Sequence, residues 1–187
     1  MSRFDPPLPA IDEIRQANRL FLGYLRSRPE AGAGQLGLTA AATGLLKRAS
    51  PRQIERAADF PRALFRLRLP PAAGGAVMDP LGFAQESGRR VLGVTLLLCA
   101  WNLSRTSAYS ARVLLRLDDA DIRRFRTAEM AEILAMSGSD DVVCAAFDDL
   151  DWIWPVLLTE TRPEQRRRLL LIGLQPDFMP RPLPGML

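Results

Sequence analysis

The sequence predicts a mostly α-helical protein made of two similar helical units in tandem, packed together as a pseudo-dimer. Apolar residues recur at helical spacing along much of the chain, and residues that start helices precede several of these segments. The two stretches 36–67 and 115–146 also align at an offset of 79 residues, with Leu36 matching Leu115 and Ile54 matching Ile133. This repeat favours an internal duplication, because helix order, helix breakers and strand position all agree.

The first predicted unit covers residues 11–69 and follows a Pro-rich, irregular tail at residues 1–10. An amphipathic helix starts at its beginning, and Thr39 can cap a second helix that ends near residue 49. Ser50, followed by Pro51 and Gln53, predicts a capping box at the start of a third helix that ends near residue 60. Alternating apolar and basic residues then predict a short strand.

The second predicted unit covers residues 89–149 and follows a Pro- and Gly-rich linker at residues 70–88. Its first helix, beginning near Val91, is rich in apolar residues, and we expect it to be buried more completely than the first helix of the chain. Asp118 can cap the next helix, which leads to a further helix and a strand. Residues 150–187 supply a C-terminal helix and tail that cover a remaining face.

The amino-acid composition is typical of a globular protein and argues against a membrane-spanning or secreted one. The chain of 187 residues is 48% hydrophobic and 25% charged, and its longest apolar run is shorter than the roughly 20 residues of a membrane span. It also lacks the layout of a secretory signal, so we expect a cytoplasmic protein without membrane insertion.

Residue usage also limits the chemistry. The chain has two cysteines and no histidine. This excludes a four-ligand Cys/His zinc site and catalysis that depends on histidine. No paired catalytic carboxylates or phosphate-binding loop is recognisable, so we expect no metal, no cofactor and no enzymatic activity.

The segment LGLTAAATGLLKRASPRQIERAADFPRALFRLRL, residues 36–69, resembles the FlhD family of bacterial flagellar transcriptional regulators. The likeness lies in the Leu-Gly-Leu entry, the Ser-Pro-x-Gln turn and the aromatic-basic strand, and it covers residues 11–69. Residues 91–148 fit less closely, although Cys144 stands where such proteins carry a cysteine near the strand's end.

The resemblance implies a mostly helical protein. FlhD-like proteins dimerise through intertwined helices and bind promoter DNA together with a zinc-binding FlhC partner. This chain departs from that pattern because it carries two units, lacks the cysteines of a zinc module and has a less basic second unit. Residues 1–89 hold 13 basic against 8 acidic residues, whereas residues 90–149 hold 7 against 9.

The helix-turn-helix-like pair of the first unit is the predicted DNA-binding site. The second helix of such a pair enters the major groove, and arginine and glutamine can read base edges. The candidate residues are Lys47, Arg48, Arg52, Gln53 and Arg56. The alternative interpretation is a solvated basic face.

The second unit carries acidic residues where a phosphate backbone would be repelled, which favours a protein partner. The candidate partner-binding residues are Glu129, Glu132, Asp140 and Asp141. Cys144 predicts either an interchain disulfide at the seam of a homo-oligomer or a small buried residue.

These observations lead us to expect a regulatory protein that acts in transcription control. It would bind double-stranded DNA, a partner regulator, or both. The alternative is an adaptor or accessory protein of a secretion or motility apparatus that keeps the fold without binding DNA.

Overall fold

The computed structural model describes residues 8–28, 34, 36–70, 87–139, 141–147, 153–159, 162, 164 and 168. Within these residues the protein is mostly helical, with one antiparallel sheet of two short strands. The first half contains α1 (Leu8–Ser27), α2 (Ala40–Arg48), α3 (Pro51–Ala58) and β1 (Phe65–Leu67). The second half contains α4 (Ser87–Thr106), α5 (Ala108–Leu115), α6 (Asp119–Thr127), α7 (Met130–Met136), β2 (Val143–Ala145) and α8 (Ile153–Thr159).

Side-chain caps start the helices where the sequence predicts them. The hydroxyl of Thr39 accepts a hydrogen bond from the Ala42 backbone N–H at 3.2 Å and caps α2. At the start of α3, the Gln53 amide N–H donates to Ser50 Oγ at 3.3 Å, while Gln53 Oε1 accepts from the Ser50 N–H at 2.7 Å. This confirms the predicted capping box.

The bounds of the helices repeat along the chain. Helix α1 spans residues 8–27 and α4 spans 87–106, while α2 spans 40–48 and α6 spans 119–127. Each pair is shifted by the same 79 residues that align the sequence. A left-handed backbone residue precedes α2 and α6 at that same shift, with φ of 81° at Gly37 and 58° at Arg116. The local conformation therefore repeats together with the helix positions.

The two halves exchange hydrogen bonds around the sheet. Strand β1 pairs with β2 in the register Phe65 with Ala145, Arg66 with Cys144 and Leu67 with Val143. Further backbone bonds cross between the halves in both directions. The Ala63 N–H donates to the Leu114 carbonyl at 2.8 Å, and the Ala145 N–H donates to the Leu36 carbonyl at 2.6 Å. Each half therefore supplies both donors and acceptors to the other.

One apolar cluster runs through both halves. Helix α1 packs against α4, and the buried cluster includes Phe21, Phe65, Leu96 and Phe125. The rings of Phe21 and Phe65 lie 5.8 Å apart, which joins α1 to β1. Because each half has fewer residues than an independently stable domain usually needs, a shared interior is the expected arrangement.

A single buried amide ties α1 to the chain between α3 and β1. Asn18 is fully buried, and its Nδ2 donates to the carbonyl oxygens of Ala58, Phe60 and Arg62 at 2.9–3.3 Å. Its Oδ1 accepts from the Leu64 N–H at 2.8 Å. These bonds satisfy backbone groups that no helix or strand pairs. The position 79 residues later is Leu97, so this clamp belongs to the first half alone.

The structure corrects several predicted boundaries. Helix α4 begins at Ser87, inside the segment predicted as linker, and the strand near residues 62–69 shrinks to the three residues of β1. The strand shortens because Arg62 is buried outside the sheet, where its Nε donates to the Val113 carbonyl at 2.7 Å. Helix α5 was not predicted, although Ser107 caps it by accepting from the Ser110 N–H at 3.1 Å.

Helix α8 covers a face of the first half. It packs against α2 and α3 through buried Ile153, Trp154 and Leu158. The Trp154 indole N–H donates to the Ala146 carbonyl at 3.0 Å. Most of the predicted linker and tails, at residues 1–7, 71–86 and 169–187, lies outside the described residues.

Candidate functional site

The structure brings three of the predicted DNA-binding cations to one place. Lys47 and Arg48 form the exposed last turn of α2, and Arg52 is exposed in the first turn of α3. Only Ala49 and Ser50 separate the two helices, so the end of α2 and the start of α3 are adjacent. Arg56 is half-buried, about one turn further along α3. We call Lys47, Arg48, Arg52 and Arg56 the basic surface.

The carboxylate of Glu55 lies on the same helix as Arg52 and Arg56, and that of Asp59 directly follows the helix. Helix α1 supplies a cation to both carboxylates. The Arg19 Nε lies 2.8 Å from Glu55 Oε2, and Arg19 Nη2 lies 3.7 Å from Asp59 Oδ1. Exposed pairs of this kind add little to stability. These ion pairs matter more for the electrostatic potential, because the charge of Arg19 offsets the two carboxylates that would otherwise repel phosphate beside the basic surface.

Gln53 takes a structural role in the capping box. Its Oε1 accepts from the Ser50 N–H, and its side chain is half-buried. Bidentate recognition of adenine uses both the oxygen and the nitrogen of a glutamine amide. Such a contact would require Gln53 to give up the cap, so the geometry favours phosphate contacts by the arginines over base reading by Gln53.

Helix α8 limits how the α2–α3 pair can approach a ligand. It lies against both helices, so the face of the pair that it covers is not open to solvent. In a helix-turn-helix protein the second helix enters the major groove with its exposed side. On α3 that exposed side carries Arg52 and Glu55.

The predicted partner-binding acids lie at the start of α7, on α7 and in the loop after it. Glu129 and Glu132 are exposed, and the Glu129 N–H donates to Glu132 Oε2 at 2.9 Å, which caps this short helix. Asp141 is exposed two residues before β2 begins, and Asp140 lies outside the described residues. Residues 129–141 contain four acidic and no basic residues, so this segment is a negatively charged stretch.

Sequence reasoning missed an exposed apolar strip on α4 and α7. The helix beginning near Val91 has fewer exposed residues than α1, as expected, but its outer side still leaves Val91 63% exposed. Met130 of α7 is 45% exposed, and Val94, Leu98 and Leu134 are half-buried. We call these five residues the apolar seam. Comparing residue types at the 79-residue offset could have found it, because Val91 and Leu98 stand where the first unit has Asp12 and Arg19.

Both cysteines are free thiols in protected settings. Cys144 is buried, with its Sγ 3.6 Å from the Arg66 carbonyl oxygen, which favours the small buried residue over the interchain disulfide. Burial, and to a smaller degree the negative charge of Glu13, raises the pKa of Cys99 to about 12. A thiol with so high a pKa is a poor nucleophile at neutral pH.

Within the described ranges, no three or more acidic or cysteine side chains gather closely enough to hold a metal ion. None of the helices described here is both long and apolar enough to cross a membrane. The chain matches no protein-family model, no curated protein and no solved structure.

Proposed function

We propose that the chain is a bacterial cytoplasmic regulatory protein of FlhD-like, tandem-unit architecture that acts in transcription control by binding other macromolecules. Two observations support the pseudo-dimer: the constant shift of 79 residues between α1 and α4 and between α2 and α6, and the hydrogen bonds exchanged between the halves. FlhD-like proteins dimerise through intertwined helices, and a tandem chain would carry that dimer within itself.

The basic surface is the observation that supports contact with double-stranded DNA. Lys47, Arg48 and Arg52 are exposed at the junction of α2 and α3, and Arg19 offsets the neighbouring carboxylates. Three or four cations that contact phosphates give an affinity that falls steeply with salt, with a log–log slope of about −3 to −4. Because Gln53 is held in the capping box, we expect the binding to depend on the DNA backbone more than on the base sequence.

Fluorescence anisotropy with a labelled duplex of about 20 base pairs, at salt concentrations of about 50 to 200 mM, tests this function. The Arg52→Ala/Arg56→Ala variant should bind at least about tenfold more weakly and show a shallower salt slope. Arg123→Ala/Arg126→Ala is the matched control, because both arginines are exposed on α6 at a distance in sequence from the basic surface. Absent or salt-insensitive binding, or equal loss in the control, would refute DNA contact by the basic surface.

The second candidate is an adaptor of a secretion or motility apparatus that keeps the fold and binds no DNA. The packing of α8 across α2 and α3 and the acidic segment at α7 favour it. Purification from the native host separates the two candidates. A stable apparatus component without promoter fragments supports the adaptor, and enrichment of promoter fragments supports the regulator.

A further inference from the structure

The apolar seam lies on two helices that pack against each other. Val91, Val94 and Leu98 stand at i, i+3 and i+7 on one side of α4, and Met130 and Leu134 stand at i and i+4 on α7. Helix α4 packs against α7, and the Trp101 indole N–H donates to the Ala128 carbonyl at 3.0 Å, which holds α4 beside the start of α7. Val91 and Met130 are two of the large apolar side chains that the described residues leave exposed.

The first unit shows that this helix pair can pack without an apolar outer edge. There, Arg19 and Glu55 join α1 to α3 at 2.8 Å, and Arg15 pairs with Asp12 at 3.0 Å. The residues 79 positions later are Leu98, Leu134, Val94 and Val91, which are all apolar. Folding of the pair therefore does not explain the seam, and grouped exposed apolar side chains of this kind mark an interaction site.

The charges beside the seam indicate the sign of its partner. Glu129, which caps α7 just before Met130, and Glu132 of α7 are exposed, and Asp141 is exposed further along the acidic segment. Arg105 lies 4.8 Å from the centre of the Trp101 ring, which gives this cation a partner within the protein. Arg89 and Arg90, which precede Val91 on α4, are half-buried and also have interactions within the protein. A ligand with basic groups next to an apolar stripe would match both properties.

We propose that the apolar seam, together with Glu129 and Glu132, binds a basic amphipathic helix of a partner protein. Two packed helices with an apolar line between them can accept a third helix, whose own apolar residues recur at i, i+3, i+4 and i+7. The acidic side chains then pair with lysines or arginines at the edge of that helix and fix its orientation. This inference rests on the proposed function in one respect, because both assign a protein partner to the second unit. It does not require DNA binding.

The probe is a labelled peptide of about 18 residues, made of leucine and lysine with the leucines on one face of a helix, which spans about five turns. It is titrated with the full chain in the absence of DNA. A scrambled peptide of the same composition and an amphipathic peptide with glutamate in place of lysine are the comparison ligands. The proposal predicts binding of the first peptide at least about tenfold tighter than either comparison ligand.

Two substitutions locate the site. Met130→Lys should weaken binding at least about tenfold, since it places a charge in the apolar seam. Leu20→Lys is the matched control, because Leu20 is 51% exposed on α1 and outside the seam. Glu129→Gln/Glu132→Gln keeps an oxygen for the cap of α7 and should weaken binding at low salt more than at high salt.

Any of three results would overturn the proposal. The first is equal binding of the scrambled or acidic peptide, the second is no binding, and the third is equal loss in the Leu20→Lys control. Self-association of the chain that Met130→Lys abolishes would instead assign the seam to a second copy. Because this assay contains no DNA, its failure is distinguishable from a failure of the duplex-binding assay.

Discussion

Replacing Asn18 by alanine should destabilise the fold more than a change at any exposed polar position. The side chain is fully buried and makes four hydrogen bonds to the backbone between α3 and β1. Each such bond contributes about 1 kcal/mol, and a buried backbone group left without a partner costs about 1–3 kcal/mol. We therefore expect the free energy of unfolding to fall by about 4 kcal/mol, a large share of the 5–15 kcal/mol of an ordinary domain.

Urea unfolding, monitored by circular dichroism, measures this loss of unfolding free energy, and the dependence of that free energy on urea concentration should stay the same in the variant. Asn102→Ala is the matched control, because Asn102 is exposed and its Nδ2 donates to Glu13 Oε1 at 2.8 Å, so its loss should cost about 1 kcal/mol or less. Asn18→Leu copies the residue found 79 positions later and should also destabilise, since it fills the space without pairing the carbonyls. A loss below about 1 kcal/mol for Asn18→Ala would refute the role of the clamp.

Three further predictions follow from the same structure. Ser50→Ala removes half of the capping box and should cost about 1 kcal/mol of unfolding free energy by urea titration, whereas no change would mean that the cap is unimportant. Arg19→Ala uncovers the carboxylates of Glu55 and Asp59, so duplex affinity by anisotropy should fall while the melting temperature stays nearly constant; unchanged affinity would contradict the charge argument. Burial raises the pKa of Cys99 to about 12 in the folded protein, against 9.0 for an ordinary thiol. The free energy of unfolding should therefore stay constant below pH 9 and fall between pH 9 and 12, by about 1.4 kcal/mol per pH unit. Cys99→Ala should flatten this alkaline loss in pH-dependent unfolding, and an identical pH profile would contradict the assignment.

Local chemistry made most helices predictable. Thr39, Ser50 and Asp118 each precede a helix and accept a backbone hydrogen bond in its first turn, as their residue types indicate. The offset of 79 residues also came from sequence, because core positions keep their apolar type. Helix α5 was missed because Ser107, its cap, follows α4 directly and the apolar residues continue without a clear breaker.

Long-range features were less predictable. The partners of Asn18 lie 40 or more residues away, so nothing near it in sequence indicates a buried clamp. The pairing of β1 with β2 joins strands of three residues, which are too short to specify a partner by pattern. The exposure of Val91 on α4 was not foreseen, because apolar content does not reveal what covers an individual side chain.

The structure shows which of the predicted site residues are exposed, and their role in binding stays a prediction. Exposure of Lys47, Arg48 and Arg52 followed from the inward-facing pattern of the two helices. The contribution of Arg19 could not be foreseen, because it comes from α1 and depends on how that helix packs against α3. Gln53 could satisfy either the cap or a base edge, and only its position in the fold distinguishes the two.

The two halves of the chain join through the antiparallel pair of β1 and β2. An engineered disulfide between these two strands is the most direct test of this union. Arg66 stands opposite Cys144 in the register, at a spacing typical of hydrogen-bonded strand neighbours and compatible with a disulfide. In a Cys99→Ala background, Arg66→Cys should form an intramolecular bond with Cys144 on mild oxidation, and Arg68→Cys, which stands opposite Val142, should not. Free thiols or only intermolecular dimers in Arg66→Cys would contradict the union of the halves at this strand pair.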